Sequence, residues 1–234
     1  MAYFSKTFGV IAGTPQDTKM GVEFLRKKGF DAVGIPTASN PEEQNMLQYQ
    51  KADTLTQKVI AIIDEFHKKN IKSIMIYCNS LSAAIDFNLV ENKYPSSNIL
   101  TPLQSYRNLA SKYSRLIVWA ANAQSLKVIE QILYESNPSI RVIGVTLLPV
   151  VNAIENLMPP EDIFEKFDLA NFLPKSFGAE GLVLGCTHFP YLKKILEEKL
   201  DVTVVDPMEE VLRDFVLLRP RRESGPPLRR APGW

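Results

Sequence analysis

The chain has 234 residues, 45% of them hydrophobic and 23% charged, with a formal net charge of +1. This composition is typical of a globular protein with a sizeable core, and the charge gives no general electrostatic reason to bind nucleic acid. No apolar run approaches the ~18 residues of a membrane helix, the N-terminus lacks the apolar core of a signal peptide, and two cysteines make no disulfide framework. We therefore expect a soluble, cytoplasmic protein that binds neither nucleic acid nor membrane.

Short apolar runs, rich in β-branched residues, alternate with longer amphipathic segments along the chain. The runs cover residues 8–13, 31–36, 71–78, 115–121, 140–145, 181–186 and 201–207. Between the second and third runs, residues 40–70 open with Asn-Pro and two acids and close with Lys-Lys-Asn, which are start and stop signals of one helix. Repeated strand-then-helix units predict an α/β fold with mainly parallel sheets and helices on both faces.

Two of the runs end at the two cysteines of the chain. "IMIYCNSLSAA" contains Cys78 and "LVLGCTHFPYL" contains Cys186, and each reads as strand, cysteine, short polar pair and helix. This weak internal repeat predicts two similar lobes that face each other, with a site in the cleft, because ligands bind at the carboxyl ends of parallel strands. We expect one lobe over residues 1–100 plus 204–218 and the other over 101–203.

The last segment, residues 219–234, differs in composition from the rest of the chain. It holds five of the ten arginines and four of the sixteen prolines. Such a shift indicates a disordered or non-native tail, which we leave out of the fold prediction.

The two cysteines allow three interpretations. They could be separate buried apolar fillers. They could bind a metal, but a metal site needs three or four ligands, and the chain adds only two histidines, of which His67 lies in a polar helix end where we expect it to be solvated. They could instead be acid–base thiols on opposite faces of a substrate carbon, because a reference pKa of ~8.5 can be tuned in both directions. Their matched positions favour this third interpretation, without a metal.

The residues that follow each cysteine suit an anionic substrate. Asn79, Ser80 and Thr187 supply short polar groups, and backbone amides at the two helix starts favour a thiolate and a substrate carboxylate. His188 could assist proton movement at Cys186, or be a structural histidine.

On these motifs the sequence resembles the cofactor-independent aspartate/glutamate racemases. "YCNS" resembles the Cys-Asn-Thr/Ser motif of their first half, and "LGCTHFPYL" resembles their second-half motif in the form usual for glutamate racemases. The resemblance covers most of residues 8–210, including Asp206-Pro207 before the last helix. It implies two pseudo-symmetric α/β lobes, no pyridoxal phosphate or other cofactor, and a two-base proton exchange at Cα.

The resemblance also implies roles for individual residues. Cys78 would deprotonate the D-enantiomer and Cys186 the L-enantiomer. The groups that would hold the amino acid are Asn79, Ser80, Thr187 and one of Asn122 and Ser125. If the substrate is glutamate, the product D-glutamate would feed peptidoglycan synthesis. A homodimer is the default assembly.

The opening loop departs from the glutamate racemase pattern. The Asp-Ser-Gly expected after the first strand is replaced by "IAGTPQDT", in which Asp17 comes a few residues late. The loop is more similar to that of aspartate racemases, with Thr18 as the matching threonine, so Thr14 and Thr18 are candidate substrate contacts. Farther along, the family's acid after a Pro-Val segment is replaced by Asn152, and Glu155 follows three residues later.

These features predict an isomerase that interconverts L- and D-glutamate, or aspartate, by proton transfer between two cysteines. The alternatives are an aspartate or broad-specificity racemase, a relative acting on another Cα acid such as a hydantoin, and a non-catalytic amino-acid-binding paralogue. The sequence does not identify a cation for a side-chain carboxylate, for which Arg107, Lys166 and Lys175 are candidates.

Overall fold

The computed structural model describes residues 7–47 and 49–217, so the predicted tail lies outside the described residues. The strands are β1 Thr7–Ala12, β2 Asp31–Pro36, β3 Ser73–Ile76, β4 Asn98–Leu100, β5 Arg115–Ala120, β6 Arg141–Thr146, β7 Gly181–Gly185 and β8 Thr203–Val205. The α-helices are α1 Pro15–Lys27, α2 Pro41–Leu47, α3 Ala52–Lys68, α4 Asn79–Ala84, α5 Phe87–Lys93, α6 Tyr106–Lys112, α7 Ala123–Ser136, α8 Leu148–Glu155, α9 Pro160–Lys166, α10 Lys193–Lys199 and α11 Pro207–Leu217. None of these helices is long and apolar enough to cross a membrane.

The strands form two four-stranded parallel sheets with the same strand order. The first sheet has the order β2-β1-β3-β4 and the second β6-β5-β7-β8. Helices flank both sheets, so the predicted α/β fold with two repeated lobes is confirmed. We call the first sheet with its helices the first lobe, and the second sheet with its helices the second lobe.

The alternation of side chains along β1 shows how the first lobe builds its core. Ile11 packs on one face against α3, and Val10 packs on the other face with α1 and α11. Gly9 leaves room on the α3 face for the ring of Phe66, which an added Cβ would overlap. The second sheet is covered in the same way on both faces, with Trp119 and Val118 of β5 in separate buried clusters.

The register of the central strands fixes where the cysteines lie. Ile11 of β1 pairs with Ile76 of β3, so both strands end at one level, and the next residue, Tyr77, donates its N–H to the Ile11 carbonyl at 2.7 Å. Cys78 therefore starts the turn at the carboxyl edge of the first sheet. Cys186 directly follows β7, which occupies the equivalent place in the second sheet.

The chain returns to the first lobe at its end. Strand β8 pairs with β7 in the second sheet, whereas Met208 and Val211 of α11 pack on the first sheet with Phe8. We keep the division into residues 1–100 plus 204–218 and 101–203 as a proposal; Val204 and Val205 still pair in the second sheet, and the chain crosses to the first lobe after them.

Two details of the predicted elements were wrong. The short strand β4 was not anticipated, and residues 40–70 form two helices because Lys51, with a ψ of 139°, has extended backbone before α3. The break lets α3 bury one apolar face on the sheet while Gln44 of α2 reaches the cleft between the lobes. Local helix signals are the same for one helix or two, and tertiary contacts decide between them.

Candidate active site

A cavity lies between the carboxyl edges of the two sheets, and both cysteines line it. Cys78 enters from the first lobe and Cys186 from the second, with exposed fractions of 5% and 6%. The free space is only about 40 Å³, enough for a few water molecules. We call this arrangement of the two lobes the closed form.

Cys78 stands at the start of α4 with backbone amides as hydrogen-bond donors. Its Sγ accepts from the N–H of Leu81 at 3.4 Å, and its carbonyl accepts from the Ser82 hydroxyl at 2.7 Å. Burial, and after it the nearby Asp17 carboxylate, raises the pKa of the Cys78 thiol. Cys78 is thus protonated at neutral pH in this closed form.

Cys186 has a different neighbour, the imidazole of His188. The Cys186 Sγ lies 3.5 Å from His188 Nδ1, and His188 Nε2 lies 2.5 Å from Oε1 of Glu155. Burial alone would lower the pKa of His188, but Asp17, Cys186 and Glu155 outweigh it and raise the pKa well above its usual value. His188 is therefore a buried cation beside the Cys186 Sγ.

Asp17 lies in the first turn of α1 and reaches across to the second lobe. Its Oδ1 accepts from the Thr187 hydroxyl at 3.1 Å and lies 3.8 Å from His188 Nδ1, while Oδ2 accepts from the N–H of Gly13 at 3.2 Å. Burial raises the pKa of Asp17, and the charge on His188 and these hydrogen bonds oppose that rise.

Glu155, at the end of α8, completes the cluster around His188. Besides the imidazole, its Oε1 accepts the hydroxyl of Thr14 at 2.5 Å. Burial would raise the pKa of Glu155, but the hydrogen bonds from His188 and Thr14 outweigh it, and the pKa is lowered. In the sequence, Asp17 and Glu155 are both displaced from the positions that the family pattern predicts. In the fold, both carboxylates lie next to His188.

Three predicted substrate contacts line the cavity. Asn79 and Ser80 follow Cys78, and Asn122 faces them from the second lobe. The Asn122 side-chain amide donates to the Ser80 hydroxyl at 3.2 Å, and the Tyr106 hydroxyl donates to Asn79 Oδ1 at 2.7 Å. These contacts hold the side chains of Asn79, Ser80 and Asn122 at the cavity wall.

The other four predicted contacts are buried next to the cavity, and their hydroxyls bond within the protein. Thr14 and Thr187 donate to Glu155 and Asp17 as described above. Thr18 donates to the Thr14 carbonyl at 2.7 Å, and Ser125 donates to the Asn122 carbonyl at 3.0 Å. A substrate-binding role for these residues stays a prediction. Ser125 bonds to a residue that lines the cavity, Asn122, whereas the partners of the three threonines lie outside the cavity lining.

Several cavity residues were missed in the sequence. Gly13, Thr37, Gln44 and Asn45 all line the cavity. Asn-Pro before two acids signalled the start of α2, but nothing local signalled which residues of α2 face the cleft.

The candidate cations lie elsewhere. Arg107, Lys166 and Lys175 are exposed, and no described cavity-lining residue is a lysine or an arginine. His67 is half-buried rather than solvated, with Nε2 2.9 Å from the Ser97 hydroxyl and its ring against Tyr94. His67 thus has a packing role away from the thiols.

Known proteins share both the sequence pattern and the fold. The chain is 28% identical over 154 residues to a glutamate racemase of Clostridium botulinum, which covers 62% of this chain and 58% of that protein. The chain thus spans less than two thirds of that relative's length. A glutamate racemase of Francisella tularensis, solved with D-glutamate, superposes with a TM-score of 0.69 at 17% identity, covering 92% of this chain and 81% of that one. Picrophilus torridus aspartate racemase gives 0.65 at 14% identity, covering 91% and 94%.

The family assignment rests on most of the chain. The family model described as Asp/Glu/Hydantoin racemase matches residues 18–214, which include both cysteines, His188 and the two sheets except the first strand. Together with the repeated lobes and the paired thiols, this match shows that the chain belongs to the Asp/Glu/Hydantoin racemase family.

Proposed function

We propose that this protein is a cofactor-independent amino-acid racemase that interconverts L- and D-glutamate, or aspartate, with Cys78 and Cys186 as its two bases. The observation that supports this most directly is the placement of the thiols, which line one cavity from opposite lobes. A binding protein needs no pair of thiols in that arrangement, whereas proton transfer on opposite faces of one carbon does.

In the proposed reaction one thiolate removes the α-proton and the other thiol delivers a proton. For the L-enantiomer, the Cys186 thiolate takes the proton from Cα, and the electron pair of the C–H bond moves into the substrate's carboxylate. Cys78, which is protonated in the closed form, then donates its proton to the opposite face of Cα. The product is the D-enantiomer, with Cys186 now protonated and Cys78 a thiolate, so protons and electrons balance.

The two thiols have different neighbours, so the two directions of the reaction use different groups. His188 lies beside Cys186 and stabilises the thiolate that starts from the L-enantiomer. Cys78 has backbone amides instead, such as that of Leu81. Asn79, Ser80 and Asn122, which line the cavity, would bind the α-carboxylate, whose negative charge increases as the α-proton leaves.

Glutamate is the first substrate to test because the sequence relative named above, from Clostridium botulinum, is a glutamate racemase. A second candidate is a Cα acid with an uncharged side chain. It is favoured by the absence of lysine and arginine from the described cavity lining and by the presence there of Gln44 and Leu148. Neutral amides can also bind a carboxylate, so the substrate panel should include both types.

The proposal is tested by α-proton exchange in deuterated buffer. The reduced protein is incubated without cofactor with each enantiomer of glutamate, aspartate, glutamine and alanine, and loss of the Cα–H signal is followed by NMR together with optical rotation. We expect exchange and inversion for an acidic amino acid.

Serine variants identify the base for each enantiomer. Cys186→Ser should slow exchange of the L-enantiomer, and Cys78→Ser exchange of the D-enantiomer, each by 10²-fold or more. Folded wild-type protein that exchanges none of the eight amino acids would refute the proposal, and tight binding without exchange would instead identify a non-catalytic paralogue.

A further inference from the structure

The polar contacts around His188 connect the two lobes. Thr14 and Asp17 belong to the first lobe, and Glu155, Thr187 and His188 to the second. Thr14 donates to Glu155 at 2.5 Å, Thr187 donates to Asp17 at 3.1 Å, and Asp17 lies 3.8 Å from the imidazole. Every one of these contacts would break if the lobes moved apart.

Both carboxylates of the site serve the same cysteine. Asp17 and Glu155 flank the imidazole that lies beside Cys186. Among the described residues, no carboxylate and no histidine hydrogen-bonds to Cys78. The acid of the first lobe therefore contacts the second lobe directly, and it acts on the thiol of its own lobe only through its charge, which raises the pKa of Cys78.

Both members of the Asp17–His188 pair are buried, so neither charge is stabilised by solvent. Asp17 has an exposed fraction of 0% and His188 of 1%. A buried carboxylate without a cation costs several kcal/mol, and a buried imidazolium without an anion is equally unfavourable. Asp17 therefore needs His188, whereas His188 also has the Glu155 carboxylate of its own lobe at 2.5 Å. Asp17 and His188 meet only when the lobes are closed.

Other groups near the pair do not supply a second cation for Asp17. Glu155 approaches from α8 and Cys186 from the segment of His188 itself, while Tyr77 and Cys78 lie near Asp17 at the end of β3. All of these are neutral or negative. His188 is the one cation among the groups that face Asp17 in the described chain.

We propose that Asp17 is a positioning residue that acts across the cleft: it keeps His188 charged beside Cys186, and this charge pair holds the lobes closed. The role of Cys186 as a base rests on the proposed function above. Closure then adds the Asp17 charge to that of Glu155 at His188, so the imidazolium beside Cys186 is stabilised most strongly in the closed cleft.

The charge on His188 can be measured without any turnover. The chain has two histidines, so imidazole ¹⁵N shifts of the full-length protein give two signals, and His67→Gln assigns them. Wild-type His188 should remain protonated above pH 7. In Asp17→Asn its proton affinity should fall by about 10-fold or more, the size expected on losing an opposite charge at this distance.

Thr187→Val is the matched control. It removes the hydrogen bond to Asp17 at a buried position but keeps the carboxylate, so His188 should stay charged. A purely structural role for Asp17 predicts that both variants leave the His188 titration as in the wild type, and that result would overturn the proposal. If Asp17→Asn fails to fold, the wild-type titration still decides, because a neutral His188 at pH 7 contradicts the proposal.

Closure is measured separately by small-angle X-ray scattering. The radius of gyration should rise in Asp17→Asn, and in the wild type as the pH rises through the titration of His188. An unchanged radius in both cases would overturn the closure half of the proposal. Neither measurement depends on racemase activity, so a failure here is distinct from a failure of the proposed function.

Discussion

At the scale of single residues, the site depends on a glycine that leaves room for a neighbour. Gly13 follows β1, and the side-chain amide of Gln44 lies against its Cα, where an added Cβ would overlap the amide nitrogen. Both residues line the cavity with the thiols. The absence of one side chain therefore decides where another can lie.

Gly13→Ala should displace Gln44 and reshape the cavity without unfolding the protein, because the overlapping atom is the end of a flexible side chain. We expect KM to rise roughly tenfold or more, since small displacements in a site are costly, and the free energy of unfolding to change by less than about 1 kcal/mol. Steady-state kinetics and urea denaturation measure the two effects. In a Gln44→Ala background the added methyl should cost much less, and an equal cost in both backgrounds would show that Gln44 is not the cause.

At the scale of elements, the end of α8 carries a strained backbone close to Glu155. Leu157 has a φ of 57°, the left-handed region, and its side chain is 60% exposed. Leu157 directly follows the helix C-cap, Asn156. Glycine is the common residue at the position after a C-cap. The backbone strain at Leu157 lowers the stability of the fold, and its exposed side chain makes little packing contact to offset it.

Leu157→Gly should raise the free energy of unfolding by about 0.5–1 kcal/mol, because glycine adopts positive φ without the Cβ clash. Thermal and urea unfolding measure the change. Asn156→Gly is the matched control: Asn156 has a φ of −82° and its amide donates to the Asn152 carbonyl at 2.7 Å, so glycine there should destabilise. Destabilisation by both variants would indicate that Leu157 makes packing contacts worth more than the strain.

At the scale of the whole molecule, Asp206 stands where the chain passes from the second sheet to the helix on the first. Its Oδ1 accepts from the N–H of Met208 at 2.9 Å, and burial raises its pKa to about 6. The folded state thus binds a proton more tightly than the unfolded state. The stability from this group is fully present below the unfolded pKa and falls as the pH rises towards 6.

Asp206→Asn should remove this loss of stability at rising pH, because asparagine does not ionise. It should keep the hydrogen bond to the Met208 N–H, because asparagine caps helices as well as aspartate does. Relative to the wild type, its free energy of unfolding should increase by about 2–3 kcal/mol between pH 3.5 and pH 7. Urea denaturation across this pH range measures the difference, and the same substitution at the exposed Asp31 controls for the chemical change. A difference that stays constant with pH would contradict the raised pKa.

The alternation of strands and helices was predictable because local patterns carry it. Residues of one strand point alternately to two helix layers, so apolar runs mark the strands, and the matched contexts of Cys78 and Cys186 mark the same place in two repeats. The helix break before Lys51 was not predictable, because both helices have adequate local signals and only packing on the sheet and the cleft separates them.

The sequence by itself determined the repeated α/β lobes, the position of each thiol after a strand and the polar residues that follow it, since these depend on neighbours along the chain. Only the tertiary structure decided that Asp17 and Glu155 flank His188 and that Gln44 reaches the cavity. Thr14 and Glu155 are 141 residues apart in sequence and in contact across the cleft. Such contacts depend on how two sheets face each other, and no local pattern of residues encodes that geometry.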